Sequence, residues 1–326
     1  MEETKWVGVD VAKASFDVAL ELGSQKYRTR AKIGNHSAGF EQLLQWLGQH
    51  AGAGAWVVME ATGVYHERLA EFLVQQGVRV SVVNPARTAA FGKSELSRSK
   101  TDKSDAKLIA RFAKAQGEGL REWKPDPPAV RKLRALVRRL EDLRELERME
   151  LNRLEVADET VHASIRTVLA SLEKEIAATL QAIASHIDSD PDLRGQRDVL
   201  VTIPGIAQAT AALLLSELGD MRRFDQASEV VAFAGLNPKL RESGKFKGRT
   251  VLSKTGSARL RAGIYMPSVR AMGCNPVLQR LAERLRERGK AGKVIVCAAM
   301  SKLLQLAYGV LKSGRPFDPH YSLAGA

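Results

Sequence analysis

The feature that most restricts what this chain can fold into is the stretch from residue 129 to residue 187, which contains no Gly and no Pro. Leu133, Leu136, Val137, Leu140, Leu143, Leu146, Leu151 and Leu154 recur at threes and fours among many charges. The pattern resumes through Ile165, Val168, Leu169, Leu172, Ile176, Leu180 and Ile183. This spacing predicts two long amphipathic helices, a helical hairpin or coiled coil, and a narrow apolar stripe favours pairing with a partner chain. Breakers flank it: KPDPP at 124–128 and DSDPDLRG at 188–195. The 326 residues are therefore expected to divide at 1–124, 125–190 and 191–326.

The first segment reads differently. Residues 5–11, 16–22 and 27–33 have the composition of short strands, and 37–50 has helical spacing with Phe40, Leu43, Leu44 and Leu47 on one face. A strand over 55–60, a helix over 64–76, a strand over 78–83 and a helix over 101–116 follow. The alternation predicts a mixed sheet flanked by helices. The last segment opens with helices around Ile203-Pro-Gly-Ile206, which resembles half of a helix-hairpin-helix. A Gly–Ile turn packed under a helix is the equally common alternative. The expected class is α/β followed by α.

Bulk properties narrow the function. No apolar run of membrane-spanning length and no signal pattern before residue 10 are read, so a soluble cytoplasmic protein with no membrane partner is expected. Cys274 and Cys297 form no CxxC, and the six His are scattered, which argues against zinc fingers and disulfide scaffolds. The net charge is +13, and its location is the informative part. Residues 235–315 hold 18 Lys/Arg against Glu242, Glu283 and Glu287, while the remainder has 32 basic and 34 acidic residues. So one-sided a field favours a polyanion over a merely solvated face.

Four carboxylates carry the chemistry. Asp10 lies in the apolar strand KWVGVDV, where burial is costly unless the group is paired or metal-bound. Glu60 ends the strand AWVVME. Asp102 and Asp105 are three apart at the start of a helix and share a face. Each singly is as well read as an exposed or helix-capping acid. Together they suit Mg²⁺-assisted phosphodiester chemistry. Asp17 is a rival, ranked lower because it alternates with Phe16 and Val18 as an exposed position would. A second constellation is GLNPKLRESGKFKGRTVLSKTGSARLRAGIY, residues 235–265. Lys239, Arg241, Lys245, Lys247, Arg249, Lys254, Arg259 and Arg261 surround Ser243, Ser253 and Ser257. The cations suit phosphate contacts, and a Ser hydroxyl could attack a phosphate that they and Mg²⁺ activate. Chemistry alone does not choose among the three serines.

The order of the acids resembles the RuvC-like branch of the ribonuclease-H fold. The whole chain resembles a transposase of the insertion-sequence one-ten family, the bridge-RNA-guided recombinases. The resemblance rests on GVDVAK, MEATGVY, VNPARTAAF, KTDKSDAKLIA, the IPGI turn, FAGLNPKLRESGKFKG and KAGKVIVCAAMSKLLQLAYGVLKSG. It implies a RuvC-like domain, a coiled coil and a C-terminal transposase domain. Asp10, Glu60, Asp102 and Asp105 would bind Mg²⁺, and Ser243 would be the nucleophile. It further implies donor and target DNA and a structured guide RNA as partners, with dimers that pair into a tetramer. The competing readings are a RuvC-like nuclease that cuts branched DNA by water attack, and a non-catalytic nucleic-acid scaffold.

Overall fold

The computed structural model describes residues 4–24, 26–61, 63–94, 102–239, 242–243, 246–247 and 251–320, with the side chains of 102–104, 239, 242–243 and 246–247 outside that description. The chain forms two compact units, Met1–Pro125 and Asp126–Ala326.

The first unit is built on strands β1 (Lys5–Val11), β2 (Ser15–Glu21), β3 (Tyr27–Gly34), β4 (Ala55–Glu60) and β5 (Arg79–Val83), in the order β3-β2-β1-β4-β5. The pairs β3–β2 and β2–β1 are antiparallel, and β1–β4 and β4–β5 are parallel. This mixed sheet is the one expected, and its order fits the ribonuclease-H-like pattern. Alternation along the strands sorts the two faces. Val7, Val9, Phe16, Val18, Leu20, Val57 and Met59 face helices α1 (Ser37–His50) and α2 (Glu67–Gln75) in one core. On the other face Trp56, Val58 and Val83 pack with Ile109 and Phe112 of α4 (Asp102–Gln116), which follows α3 (Pro85–Ser94). Helix α2 begins at Glu67 rather than 64, because Gly63 at φ +54 sits in a turn that precedes it.

Gly8 fixes how closely α4 lies on the sheet. A Cβ there would stand 2.2 Å from the carbonyl oxygen of Ala106 and 2.4 Å from the amide nitrogen of Ala110. Ala19, Ala106 and Ala110 complete this small-residue contact.

The second unit is helical. Helices α5 (Pro128–Val156) and α6 (His162–Ser189) form the expected hairpin. The break between them needs neither Gly nor Pro, because Asp158 accepts the amide proton of Thr160 and starts a new turn. The buried stripe of α5 runs Val130, Leu133, Val137, Leu140, Leu143 and stops there. Beyond it Leu146, Met149 and Leu151 are exposed, as are Val168 and Leu180 on α6. Helices α7 (Pro191–Val201) and α8 (Gln208–Leu218) flank the IPGI turn. Gly205 sits there at φ +103, and a Cβ would meet that of Ala271 at 2.5 Å. Asn275 donates to the Pro204 carbonyl at 3.3 Å. The turn is thus packed against its own unit.

Helix α9 (Ala227–Phe233) leads into the paired strands β6 (Pro238–Lys239) and β9 (Val251–Leu252), between which β7 (Glu242–Ser243) pairs with β8 (Phe246–Lys247). Helices α10 (Ala258–Gly263), α11 (Tyr265–Cys274), α12 (Pro276–Glu287) and α13 (Gly292–Ser313) complete the unit. Helix α13 corrects one expectation. It is long and apolar enough to cross a membrane. Its Ile295, Ala299, Leu303, Leu304 and Ala307 are instead spent on the core of the second unit. Lys293 and Lys302 interrupt the apolar pattern in the sequence, so the run does not read as continuous there.

Candidate active site

Three of the four predicted acids are brought to one face of the first unit. The parallel register pairs Gly8 with Val58 and Val9 with Met59, so Asp10 and Glu60 come next to one another along the C-terminal ends of β1 and β4. Gly8 and Val58 lie on the α4 side, and side chains two residues on return to it. Asp105 precedes Ala106, the residue whose carbonyl lies over Gly8. Its charge reaches Glu60: burial pushes the Glu60 carboxyl above the ordinary value of 4.5, the Thr88 hydroxyl pulls it back, and Asp105 raises it further. Asp102 opens the same helix, and its side chain lies outside the described residues.

Among the described residues no three His, Cys, Asp or Glu side chains already converge into a metal cage. The donor set nevertheless fits a hard divalent cation. It consists of carboxylate oxygens alone, and Glu60 is half-buried under the field of a second acid.

Asp17 stands in register with Asp10 across β1–β2 and is half-buried rather than exposed. Its Oδ1 accepts the Lys32 amide proton at 2.7 Å. That amide belongs to an irregularity in β3, where the register shifts and Lys32 takes φ +56. Asp17 is therefore committed to holding a strand bulge, a different reason for its low rank than the alternation suggested.

In the second unit the three candidate serines separate. Ser257 accepts the Leu260 amide proton as the N-cap of α10 and donates its own proton to Glu217 at 2.8 Å. The Ser253 backbone is tied to Asn237, and its hydroxyl oxygen takes the Thr255 amide at 3.4 Å. Ser243 lies in β7, opposite Phe246, in a two-residue pairing whose side chains are outside the described set. The base of this ribbon is locked by Gly235 and Gly256. A Cβ on Gly235 would stand 2.9 Å from the Lys254 carbonyl carbon, and one on Gly256 would stand 2.2 Å from the Phe233 oxygen.

The predicted phosphate-binding cations also sort themselves. Lys254 is exposed. Arg259 pairs with Glu141 at 3.4 Å, and Arg261 donates to the Ala234 carbonyl at 2.9 Å. Arg241, Lys245 and Arg249, with the side chains of Lys239 and Lys247, lie outside the described residues. The sequence pattern does not reveal a groove of about 1390 Å³ between β6–β9 and helices α12 and α13. Lys254, Arg280, Arg284, Lys290, Lys293 and Lys302 line it, over a floor that includes Leu252, Val277 and Leu281. Among the described residues no acidic or aromatic side chain lines it. The available signal is the amphipathic pattern of α12, with Leu278 and Ala282 buried and Arg280 and Arg284 turned from that face.

A carboxylate set on a mixed sheet, joined in one chain to a basic helical unit, defines a nucleic-acid phosphoryl-transfer protein. Comparison with known proteins is more specific. Residues 7–160 match a family described as "Transposase", and residues 197–283 match "Transposase IS116/IS110/IS902 family". The chain is 31% identical over 317 residues to the "Pilin gene-inverting protein" of Moraxella bovis, covering 96% of this chain and 97% of that one. It is 25% identical over 290 residues to the "Transposase for insertion sequence element IS1111A" of Coxiella burnetii, covering 80% and 76%. The chain belongs to the IS110 family of insertion-sequence transposases, and it is a DNA transposase/recombinase.

Proposed function

We propose that this transposase recombines DNA through a covalent phosphoserine and is directed to its sites by a structured guide RNA. The observation that supports metal-assisted phosphoryl transfer is the arrangement of Asp10, Glu60 and Asp105 at the α4 contact of the sheet. With Asp102 they would hold Mg²⁺, which when bound supplies Lewis-acid stabilisation of the phosphate under attack and of the leaving oxygen. The Ser243 hydroxyl would give up its proton as its oxygen bonds to phosphorus, the bond from phosphorus to the 3′ oxygen would break, and that oxygen would take up a proton. The broken bond is thus exchanged for a phosphoserine, and strands can be rejoined without ATP. A relative of near-complete overlap is named for inverting a gene, and inverting a DNA segment requires rejoining as well as cutting. That favours a stored covalent bond over hydrolysis.

The acids and Ser243 belong to different units of the chain. We take the site to be composite, with acids from one subunit and serine from another. Exposed Leu146, Met149, Leu151 and Val168 on the α5–α6 hairpin are the surface on which dimers would form as a coiled coil, and dimers would pair into the tetramer across two DNAs.

The groove supports guidance by base pairing. Its cations can grip donor DNA, target DNA or RNA through the backbone, in contacts that carry no sequence. Sequence choice then falls to a paired RNA, whose A-form shape the protein can hold. Such a reaction belongs in the cytoplasm, at the nucleoid.

The test is a cleavage assay with Mg²⁺, guide RNA and labelled donor and target DNA, resolved on a denaturing gel. Wild type should give a protein–DNA adduct that both Ser243→Ala and Asp10→Asn lose. Cleavage that survives Ser243→Ala without adduct would make water the nucleophile and the enzyme a RuvC-like nuclease. Recombination of cognate DNA by RNA-free protein would remove the guide.

A further inference from the structure

We infer that Thr88 is a positioning residue for the acid cluster: it holds Glu60 by one oxygen, Oε1, and so presents the other, Oε2, to a divalent cation. The inference rests on the proposal that Glu60 is a metal ligand.

Thr88 is fully buried in the first turn of α3. Its Oγ1 lies 2.5 Å from Glu60 Oε1 and 2.9 Å from the Pro85 carbonyl oxygen. A hydroxyl has one proton to give, and a carboxylate is the stronger of these two acceptors. Among the described residues Thr88 is the hydrogen-bond donor that Glu60 has, and no Lys or Arg forms an ion pair with it. A neutral donor fixes orientation without cancelling the negative charge, which a cation then can do.

The aim of the hydroxyl is set twice over. On a helix the χ1 of Thr is confined to two wells, and the one taken here also sets Oγ1 beside the Pro85 carbonyl three residues back. The turn that carries it is held by Asn84, whose Oδ1 accepts the Ala86 amide proton at 2.8 Å and whose carbonyl accepts that of Arg87 at 2.9 Å. Arg87 also reaches α4, donating to Gln116 at 2.8 Å and stacking over Phe112 at 5.4 Å. Thr88 thus stands on a short helix that is bonded both to the end of β4 and to the helix carrying Asp105. Partners that orient metal-binding side chains are worth about 10–100-fold in affinity.

The experiment measures Mn²⁺ binding to the full chain by electron paramagnetic resonance, with thermal unfolding of the metal-free protein alongside. It compares wild type with Thr88→Val, Thr88→Ala, Thr88→Ser and Glu60→Gln. The expected result is a loss of about 10-fold or more in Thr88→Val and Thr88→Ala and affinity within about 3-fold of wild type in Thr88→Ser. The two hydroxyl-free variants differ in volume, and each is read at a temperature at which its own unfolding curve shows it folded. Wild-type affinity in Thr88→Val or Thr88→Ala, while Glu60→Gln has lost it, overturns the role of Thr88. Equal loss in Thr88→Ser overturns it as well, because the hydroxyl would then not be the cause. Unchanged binding in Glu60→Gln would instead overturn the metal reading itself.

Discussion

Burial and, less strongly, Asp105 favour the neutral form of Glu60 over the pull of the Thr88 hydroxyl. Between the ordinary carboxylate value of 4.5 and its raised folded value, the folded protein holds a proton that the unfolded chain has released. Stability therefore falls as pH rises through that window, and the loss is complete above it. Glu60→Gln should raise the melting temperature of the metal-free protein at pH 8, and the gain should shrink as the pH is lowered toward 4. Mg²⁺ should raise the melting temperature of wild type at pH 8 and leave that of Glu60→Gln nearly unmoved. Asp10 and Glu60 were legible because each sits toward the end of an apolar strand, and Asp105 because it shares a helix face with Asp102; the set, not any one acid, pointed to the chemistry. Thr88 was not: nothing in NPARTAAF marks a Thr whose partner is 28 residues away. By residue chemistry alone, without the family resemblance, Ser257 could be set apart only once its bond to Glu217 was seen.

At the level of elements, periodicity was a good guide wherever a face is buried. The five strands and the long helices stand within a few residues of their expected ranges, because alternation and the heptad-like stripe each record burial directly. Short elements escaped it. Strands β6 to β9 are two residues each, too short to have a period, and the groove they border is made by chain packing that no local pattern encodes. The α4 contact depends on the missing side chain of Gly8. Gly8→Ala places a methyl 2.2 Å from the Ala106 carbonyl, so α4 must lift. A cost of about 1–3 kcal/mol is expected, as for other overpacked cores, measured by denaturant unfolding, with loss of adduct formation. On the hairpin, Leu146→Lys with Met149→Lys replaces two exposed side chains. It should leave the fold intact by circular dichroism while shifting the chain to monomer in analytical ultracentrifugation.

At the level of the molecule, six of the 18 cations of residues 235–315 line one groove. Arg280→Glu with Arg284→Glu should weaken RNA and DNA binding alike. It should also flatten the dependence of log affinity on log salt by about one unit for each phosphate that is no longer neutralised. Competition binding at several salt concentrations reads both. A different consequence follows from the exposed stripe beyond Leu143, which is separate in sequence from both the acids and Ser243. A copy of this gene that decays in its first unit still encodes an intact α5–α6 hairpin. With the hairpin pairing chains as proposed above, its product would enter assemblies with full-length chains and subtract from them. As an element multiplies in a genome its damaged descendants would thus become its repressors, and the hairpin would act as a brake on copy number with no dedicated regulator.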